Sequence, residues 1–413
     1  MTRFYHFDLW GSREDKYSFL EENDVTTIPW TEIFPKSPFY LFVPQNQDLL
    51  SEYNQGWKIT EIMPTNSLGF ITSRDHFAID FDREYLYQRF EEFRNVKLSD
   101  DEIKQKYQIK NNRDWQVENA RKQIRLDHDW EKWLIVCLYR PFDWRPCYFS
   151  TVAMDYPRFV LQQNMTKENL SLLCSRQQAT LGFYHVWCTN VPAESCVIST
   201  TTREVNQVFP LYLYPDTTDQ QGSLFKEKSP NLSSNFITAI RKKLGYVPTP
   251  EAILYYIYAI LHNPTYRQRY CEFLKIDFPR IPLTSNNQLF QDLGKKGSEL
   301  VNLHLMKSKK LNQLITKMAG SGNNAVTEVT YKPTEQRIYI NKTRYFEGIN
   351  QQVWEFKIGG YQVLEKWLKN RKKAKRTLSF DDVLHYQKVV VALKETMQII
   401  EDIDQLIPSF PVE

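Results

Sequence analysis

The stretch of this chain that comes nearest to a catalytic signature is His262-Asn263-Pro264-Thr265-Tyr266-Arg267. DNA amino-methyltransferases hold their target base in a loop reading Asn/Asp-Pro-Pro-Tyr/Phe. The Asn or Asp side chain and the first Pro carbonyl accept hydrogen bonds from the amino group, and the aromatic ring stacks on the flipped base. Here Thr265 stands in place of the second Pro. Such a loop must follow a buried parallel strand, whereas the preceding run, EAILYYIYAIL, has helical period. Asn263 and Pro264 therefore read as the N-cap and first residue of a second helix, with Tyr266, Tyr270 and Phe273 on one face. The Gly-rich turn that would hold S-adenosylmethionine is missing too. Neither Gly320-Ser321-Gly322 nor Gly359-Gly360 follows a convincing buried strand. There is no G-x-x-x-x-G-K-[ST] phosphate loop. Glu14-Asp15-Lys16, with Asp8 upstream, fits the E-x-K of a nuclease, but a three-residue match is close to chance. No Ser/His/Asp or Cys/His constellation stands out.

The elements that would position any such chemistry belong to a chain of 413 residues, long enough for two or three domains or one with a helical extension. Hydrophobic residues make up 42%, and 24 Tyr with 25 Phe predict an aromatic core. No apolar run approaches the roughly 18–20 residues of a membrane span. The N-terminus lacks the apolar stretch of a signal peptide, so a cytoplasmic protein is the simplest reading. The six cysteines form no C-x-x-C pair and read as reduced core thiols, with no zinc site or disulfide framework expected. A net charge of +4 does not by itself imply nucleic acid. Its distribution is more informative: Lys366 to Arg376 (KWLKNRKKAKR) concentrates cations around one Trp, as a phosphate-binding run does, or as a solvated helix end does.

The polar, turn-rich stretch Pro215–Pro230 separates two regions of different character. Before it, strands are expected at 39–43, 67–72, 133–139, 147–151, 170–174, 183–189, 196–200 and 207–214. A helix is expected over 82–94, and Ser99 with Glu102 makes a capping box for another. After it, Ser233 and Gly245 bracket one helix and Thr249 caps the next, with Ile253, Leu254, Ile257, Ile260 and Leu261 on one face. A hairpin over 326–341 turns at Lys332–Gln336. Ser379 then caps the longest helical pattern, about 380–406, whose apolar side is Leu384, Val391, Met397, Ile400 and Ile403. At about 1.5 Å per residue it spans roughly 40 Å, enough for a spacer or brace. The expected fold is α+β: a strand-rich, mixed or antiparallel lobe followed by a mostly helical lobe with a long C-terminal spacer helix.

The block from Leu138 to Pro215 interleaves aromatics with Arg, Asn, Gln and His: LYRPFDWRPCYF, YPRFVLQQNM, NLSLLCSRQQ, FYHVWCTNVPAESCVIS and VFPLYLYP. Arg suits guanine, and Asn or Gln suits adenine, in the major groove, although a strand-rich core with capped turns would use the same residues. The order of these phrases resembles the C-terminal specificity domain of type ISP restriction–modification enzymes, single-polypeptide relatives of Type I systems. The resemblance extends upstream through DLWGSREDKY, PFYLFVP, GWKITEI and SLGFITSRDHF. Downstream it includes YIYAILHNPTYRQRY, LKIDFPRIPL, INKTRYFEGI, VWEFKIGGYQVLEKWLKNR and LSFDDVLHYQKVVVAL. In that family the H-x-P-x-Y-R phrase belongs to the helical part of the specificity region.

The resemblance implies sequence-specific recognition of double-stranded DNA. Complete type ISP enzymes join a nuclease, an ATP-driven translocase, an adenine-N6 methyltransferase and a target recognition domain. No catalytic residue, cofactor or metal is expected in this chain; S-adenosylmethionine, ATP and Mg belong to the other domains. The chain is then a fragment, a split-gene product or a separate specificity subunit. The expected segmentation is 1–132, an α/β segment abutting a methyltransferase domain; 133–220, the DNA recognition lobe; 221–325, a helical lobe; and 326–413, a hairpin plus spacer helix. The residues expected to contact DNA are Arg140, Arg145, Arg158, Gln162, Gln163, Asn164, Arg176, Gln177, Gln178 and His185. Lys369, Arg371, Lys372, Lys373, Lys375 and Arg376 are the backbone-contact set. Asp143 is placed to pair with Arg140 or Arg145 and fix the turn. The competing readings are a divergent DNA adenine methyltransferase and a non-catalytic scaffold docked on a methyltransferase.

Overall fold

A computed structural model describes residues 2–36, 40, 42–44, 47–179, 182–199, 204–215 and 228–412. The chain divides into two compact units, Met1–Tyr53 and Asn54–Glu413. Of the strand expected at 39–43, residues 39 and 41 fall outside the described residues and 40, 42 and 43 are not in a strand; most of the expected linker at 215–230 also falls outside.

In the first unit, strands Phe4–His6 and Thr31–Ile33 pair antiparallel around the helix Arg13–Glu22. Asp15 is half of that helix's capping box. Its backbone N–H donates to Ser12 Oγ at 3.1 Å, and its carboxylate accepts from the Ser12 N–H at 2.9 Å. The nuclease-like triplet is thus the first turn of a capped helix.

The second unit is built on an antiparallel sheet in the order Ser67–Leu68, Asn206–Pro210, Ser171–Ser175, Val186–Thr189. Beside it runs a two-stranded hairpin, Leu134–Arg140 with Asp143–Tyr148. The segment 192–195 stitches sheet and hairpin together through single parallel bridges, Phe70 to Glu194 and Leu138 to Ala193. The second strand of the hairpin starts four residues before its expected position, because the chain reverses at Pro141-Phe142, where Phe142 adopts φ 58°. Residues 196–199 form no strand. Phe77 centres an aromatic core, with the rings of Phe90, Phe93 and Tyr107 at 4.9, 5.0 and 5.7 Å. Burying each such ring contributes about 1.5–3 kcal/mol.

The helix signals hold. Asp82 caps Arg83–Phe93, and Ser99 and Glu102 form both halves of their box. Ser233 and Gly245 bound Ser234–Leu244, and Thr249 caps Pro250–His262. This last helix is buried nearly all round, including Tyr256, Tyr258 and His262. It lies tightly against Asn287–His304, where a Cβ on Gly297 would sit 1.9 Å from the Tyr255 carbonyl oxygen. Only glycine permits that approach. The C-terminal hairpin forms as Thr330–Lys332 and Arg337–Tyr339, and grows into a four-stranded antiparallel sheet with Arg344–Glu347 and Lys317–Gly320. Ser379 and Asp382 cap the 27-residue helix Phe380–Leu406, which braces the unit from within. Its buried residues are Tyr386, Val389, Val390, Val391, Ala392, Leu393, Thr396, Ile399 and Ile403. Of the expected stripe, Val391 and Ile403 are buried, whereas Leu384, Met397 and Ile400 are only half-buried. The fold is α+β, and among the described residues every strand ladder is antiparallel. Among the described residues, no helix is long and apolar enough to cross a membrane.

Candidate nucleic-acid interface

Two elements far apart in sequence bring a cationic cluster together: the hairpin Leu134–Tyr148 and the basic helix Val363–Lys373. Asp143 and Arg145 share a strand two residues apart and so face the same side. The Asp143 carboxylate accepts from Arg145 at 2.6 Å and lies 3.0 Å from the Arg371 guanidinium. Burial alone would push the Asp143 carboxyl up; Arg145 and Arg371 reverse this and hold it at about 2. Arg140 stands opposite Asp143 in the ladder but pairs with Glu194 instead. Glu194 is held there by the 192–195 stitch and by the Cys196 N–H at 2.8 Å. Burial raises the Glu194 carboxyl, and Arg140 pulls it back only partly.

Aromatic rings carry the remaining faces of these guanidiniums. Arg140 lies 3.9 Å from the Tyr139 centroid and Arg145 4.1 Å from it. Arg145 and Arg376 also approach Phe81, at 3.9 and 4.9 Å, and Arg371 sits 3.4 Å over Trp367. Lys366 joins them: burial lowers its pKa, and Arg140, Lys373, Lys369 and Arg145 lower it further. The cluster therefore holds Arg140, Arg145, Arg371, Arg376 and Lys366 against Asp143 and Glu194, with the carboxylates of Asp75 and Asp382 also acting on it. Lys369, Lys372, Lys373 and Lys375 are exposed beyond it, and Arg376 is half-buried. Lys369 pairs with Glu365 at 2.9 Å, a contact that is weak at an exposed site.

The other predicted residues form two further groups. Arg158, in a left-handed conformation, lies 5.0 Å over Tyr156. Gln162 is fully buried, its amide bonded at both ends to the Ala193 backbone at 2.9 and 3.3 Å. Asn164 is buried and bonded to Leu161 and Tyr214, while Gln163 beside it is exposed. Arg176 and Gln177 are exposed and reach Asp277 and the Ile276 carbonyl, each at 3.3 Å. Gln178 is buried, and its side-chain amide has no hydrogen-bond partner among the described residues. His185 is buried against Glu204 at 2.9 Å; burial keeps the imidazole neutral, and Glu204 opposes this incompletely.

Arg140, Arg145, Gln162, Asn164, His185 and Arg371 are thus buried and bonded within the fold. The remaining predicted residues are exposed or half-buried, apart from Gln178, which is buried with its amide unpaired among the described residues. Sequence reasoning missed Lys366, Tyr139, Phe81 and Glu194. Lys366 lay within the basic run; the other three carry no signal of their own, because their roles depend on partners distant in sequence.

In the H-N-P-T-Y-R stretch, Asn263 caps the helix Pro264–Arg269 through the Tyr266 N–H at 2.6 Å, and Tyr266 is buried. The helical reading of this stretch is the one observed. Among the described residues, no group of three or more His, Cys, Asp or Glu is placed to hold a metal ion.

Fold and cluster define an α+β module with a basic, aromatic-backed face. The chain belongs to the family of Type ISP C-terminal specificity domains, whose model matches residues 61–402. Among the solved structures that share its fold are three from which it differs widely in sequence. One, a cryo-electron-microscopy structure of a DrdV–DNA complex, superposes with a TM-score of 0.72 at 19% identity over 97% of this chain and 43% of that one. A nuclease-deletion mutant of the Type ISP restriction–modification enzyme LlaGI, in complex with a DNA substrate mimic, gives 0.69 at 18% identity over 100% and 33%. The ATP-dependent Type ISP enzyme LlaBIII bound to DNA gives 0.68 at 20% identity over 93% and 26%. The chain therefore spans less than half the length of each of these proteins. Comparison with curated proteins gives no match.

Proposed function

We propose that this chain is the DNA-reading module of a Type ISP restriction–modification system. It holds a duplex, recognises an asymmetric site, and presents an adenine to an N6-methyltransferase domain; translocase and nuclease domains act on the same recognition event. Those domains are its partners, and S-adenosylmethionine, ATP and Mg belong to them. The observation that carries the reading is the family match over residues 61–402, supported by shared fold with three proteins whose structures contain DNA or its mimic.

Within this reading the residues divide by exposure. Lys369, Lys372, Lys373, Lys375 and Arg376 meet phosphates, which position the duplex without specifying sequence. Arg158, Gln163, Arg176 and Gln177 reach base edges, and Gln178, whose amide is unmatched, stays with this set. Arg140, Arg145, Arg371, Gln162, Asn164 and His185 hold the reading elements in place. Nuclease-protection footprinting on long duplexes tests the reading. A discrete footprint at one recurring asymmetric sequence is expected. Protection that ignores sequence at every salt concentration overturns it.

A further inference from the structure

A cleft of about 1010 Å³ opens beside the H-N-P-T-Y-R helix, on ground that the DNA-reading account leaves unused. Its apolar wall is made by Phe183, Tyr184, Phe356, Met397 and Ile400. Arg267, the last residue of that stretch, faces into it. The helix carrying Arg267 is fixed by the Asn263 cap and by Asp404, which accepts from Asn263 Nδ2 at 3.1 Å and from the Thr265 N–H at 3.3 Å.

Arg267 is one of several half-buried arginines, Arg125, Arg158, Arg344 and Arg376 among them, with no ion pair to a carboxylate among the described residues, and it is the one that lines this cleft. Each of the buried arginines, Arg74, Arg121, Arg140, Arg145 and Arg371, has a carboxylate within ion-pair distance. Half-buried Arg267 has none among the described residues. Its Nε donates to the Leu261 carbonyl at 2.6 Å, and its guanidinium stands 5.7 Å from the Tyr184 centroid. Its two terminal nitrogens make no hydrogen bond among the described residues. Burial lowers its pKa to about 10, so it stays charged at neutral pH. The uncompensated charge is felt around it: after burial, Arg267 is a further cause that lowers His185, His262 and His304. A half-buried guanidinium whose terminal nitrogens are unpaired among the described residues is free to take an anion as its partner. The other charged groups on the cleft, Lys357, Glu355 and Glu401, are exposed at its edge. Glu355 already accepts from Gln351 at 2.7 Å.

We propose that this cleft binds a small anionic ligand, with a phosphate or carboxylate held by Arg267 and a flat apolar body lying against Tyr184, Phe356 and Met397. A planar guanidinium fork matches either anion bidentately, and the volume suits a small molecule. The inference does not depend on DNA reading, since the ligand is sought without a recognition site.

The test is calorimetric titration of the full chain with phenyl phosphate, inorganic phosphate and benzyl alcohol. Phenyl phosphate is expected to bind in the millimolar range or tighter, inorganic phosphate more weakly, and the neutral alcohol not at all. Arg267→Met should weaken phenyl phosphate at least about tenfold, with folding checked by circular dichroism. Met397→Trp leaves the guanidinium intact and fills the apolar side. It should lose phenyl phosphate while keeping inorganic phosphate, which keeps the test open should Arg267→Met fail to fold. A short duplex added as competitor separates the two sources of the anion. Displacement assigns it to a nucleic-acid backbone, and no displacement assigns it to a free ligand. Absence of phenyl phosphate binding to the wild type, or equal binding to Arg267→Met or to Met397→Trp, overturns the proposal.

Discussion

Asp143 shows how one carboxylate can organise a basic surface. It neutralises two guanidiniums from elements distant in sequence, and it is 1% exposed. Asp143→Asn leaves Arg145 and Arg371 buried without a counter-charge, which should lower stability by about 3–5 kcal/mol. Urea unfolding measures this, and a change below about 1 kcal/mol would contradict the network. Half of the arrangement was legible in sequence: Asp143 was expected to pair with Arg140 or Arg145, as a turn-fixing contact, and it pairs with Arg145 along a strand. The other half was not, because nothing local marks Arg371 as a partner or predicts that Arg140 turns to Glu194. At exposed positions the expectation reverses. Gln177→Ala should change stability by no more than about 0.5 kcal/mol. If Gln177 reads a base, the same change relaxes discrimination at one position by about 1–3 kcal/mol. Binding measured on single-base-pair variants of the site distinguishes this from a phosphate contact, which weakens all sequences alike.

Among the elements, the basic helix and the turn at Gly359-Gly360 make separable predictions. Neutralising Lys369, Lys372, Lys373 and Lys375 to Gln should weaken binding to every duplex by a similar factor. It should also reduce the slope of log affinity against log salt by up to about 3–4. A loss confined to one sequence would move these lysines to base reading. Gly359 adopts φ +58°, and a Cβ there would lie 1.4 Å from the Ile198 carbonyl oxygen. Its N–H donates to the Tyr184 carbonyl at 2.7 Å and that of Gly360 to Ile198 at 3.0 Å, so this turn clasps two loops of the central-sheet region. Gly359→Ala should release the clasp and lower the thermal midpoint, whereas an unchanged midpoint would mean the turn can rearrange freely. Caps and turn residues made the helices legible, since Ser99, Ser233, Thr249 and Ser379 each announce a boundary chemically. Strands were less legible. Residues 196–199 have strand composition but lie as a turn, because Glu194 and the Asn206 side chain capture their backbone N–H groups at Cys196 and Val197.

The molecule as a whole should respond to acid before its carboxylates do. Burial pushes His185, His262, His304 and His385 below the ordinary imidazole value, His304 to about 3. Between the ordinary value near 6.5 and these lowered values the unfolded chain binds more protons than the folded one. Stability therefore rises with pH in that window and is lost as pH falls through it, by up to about 1.4 kcal/mol per pH unit for each such histidine. Asp143 adds a second loss only below the ordinary carboxylate range near 4. The thermal midpoint should fall steadily from pH 7 to pH 5, and a flat profile would contradict the buried, neutral histidines. Family membership was legible from the order of long phrases spread over the chain, and the contact residues were not, since groove contacts depend on exposure that the sequence does not display. The central claim is that this chain reads duplex DNA by sequence. Selection from a randomised duplex pool by the purified chain, at low and at near-physiological salt, tests it most directly, because phosphate-driven binding falls steeply with salt. Enrichment of one asymmetric motif that persists at the higher salt is the predicted result; binding that vanishes with salt and enriches no sequence would contradict it.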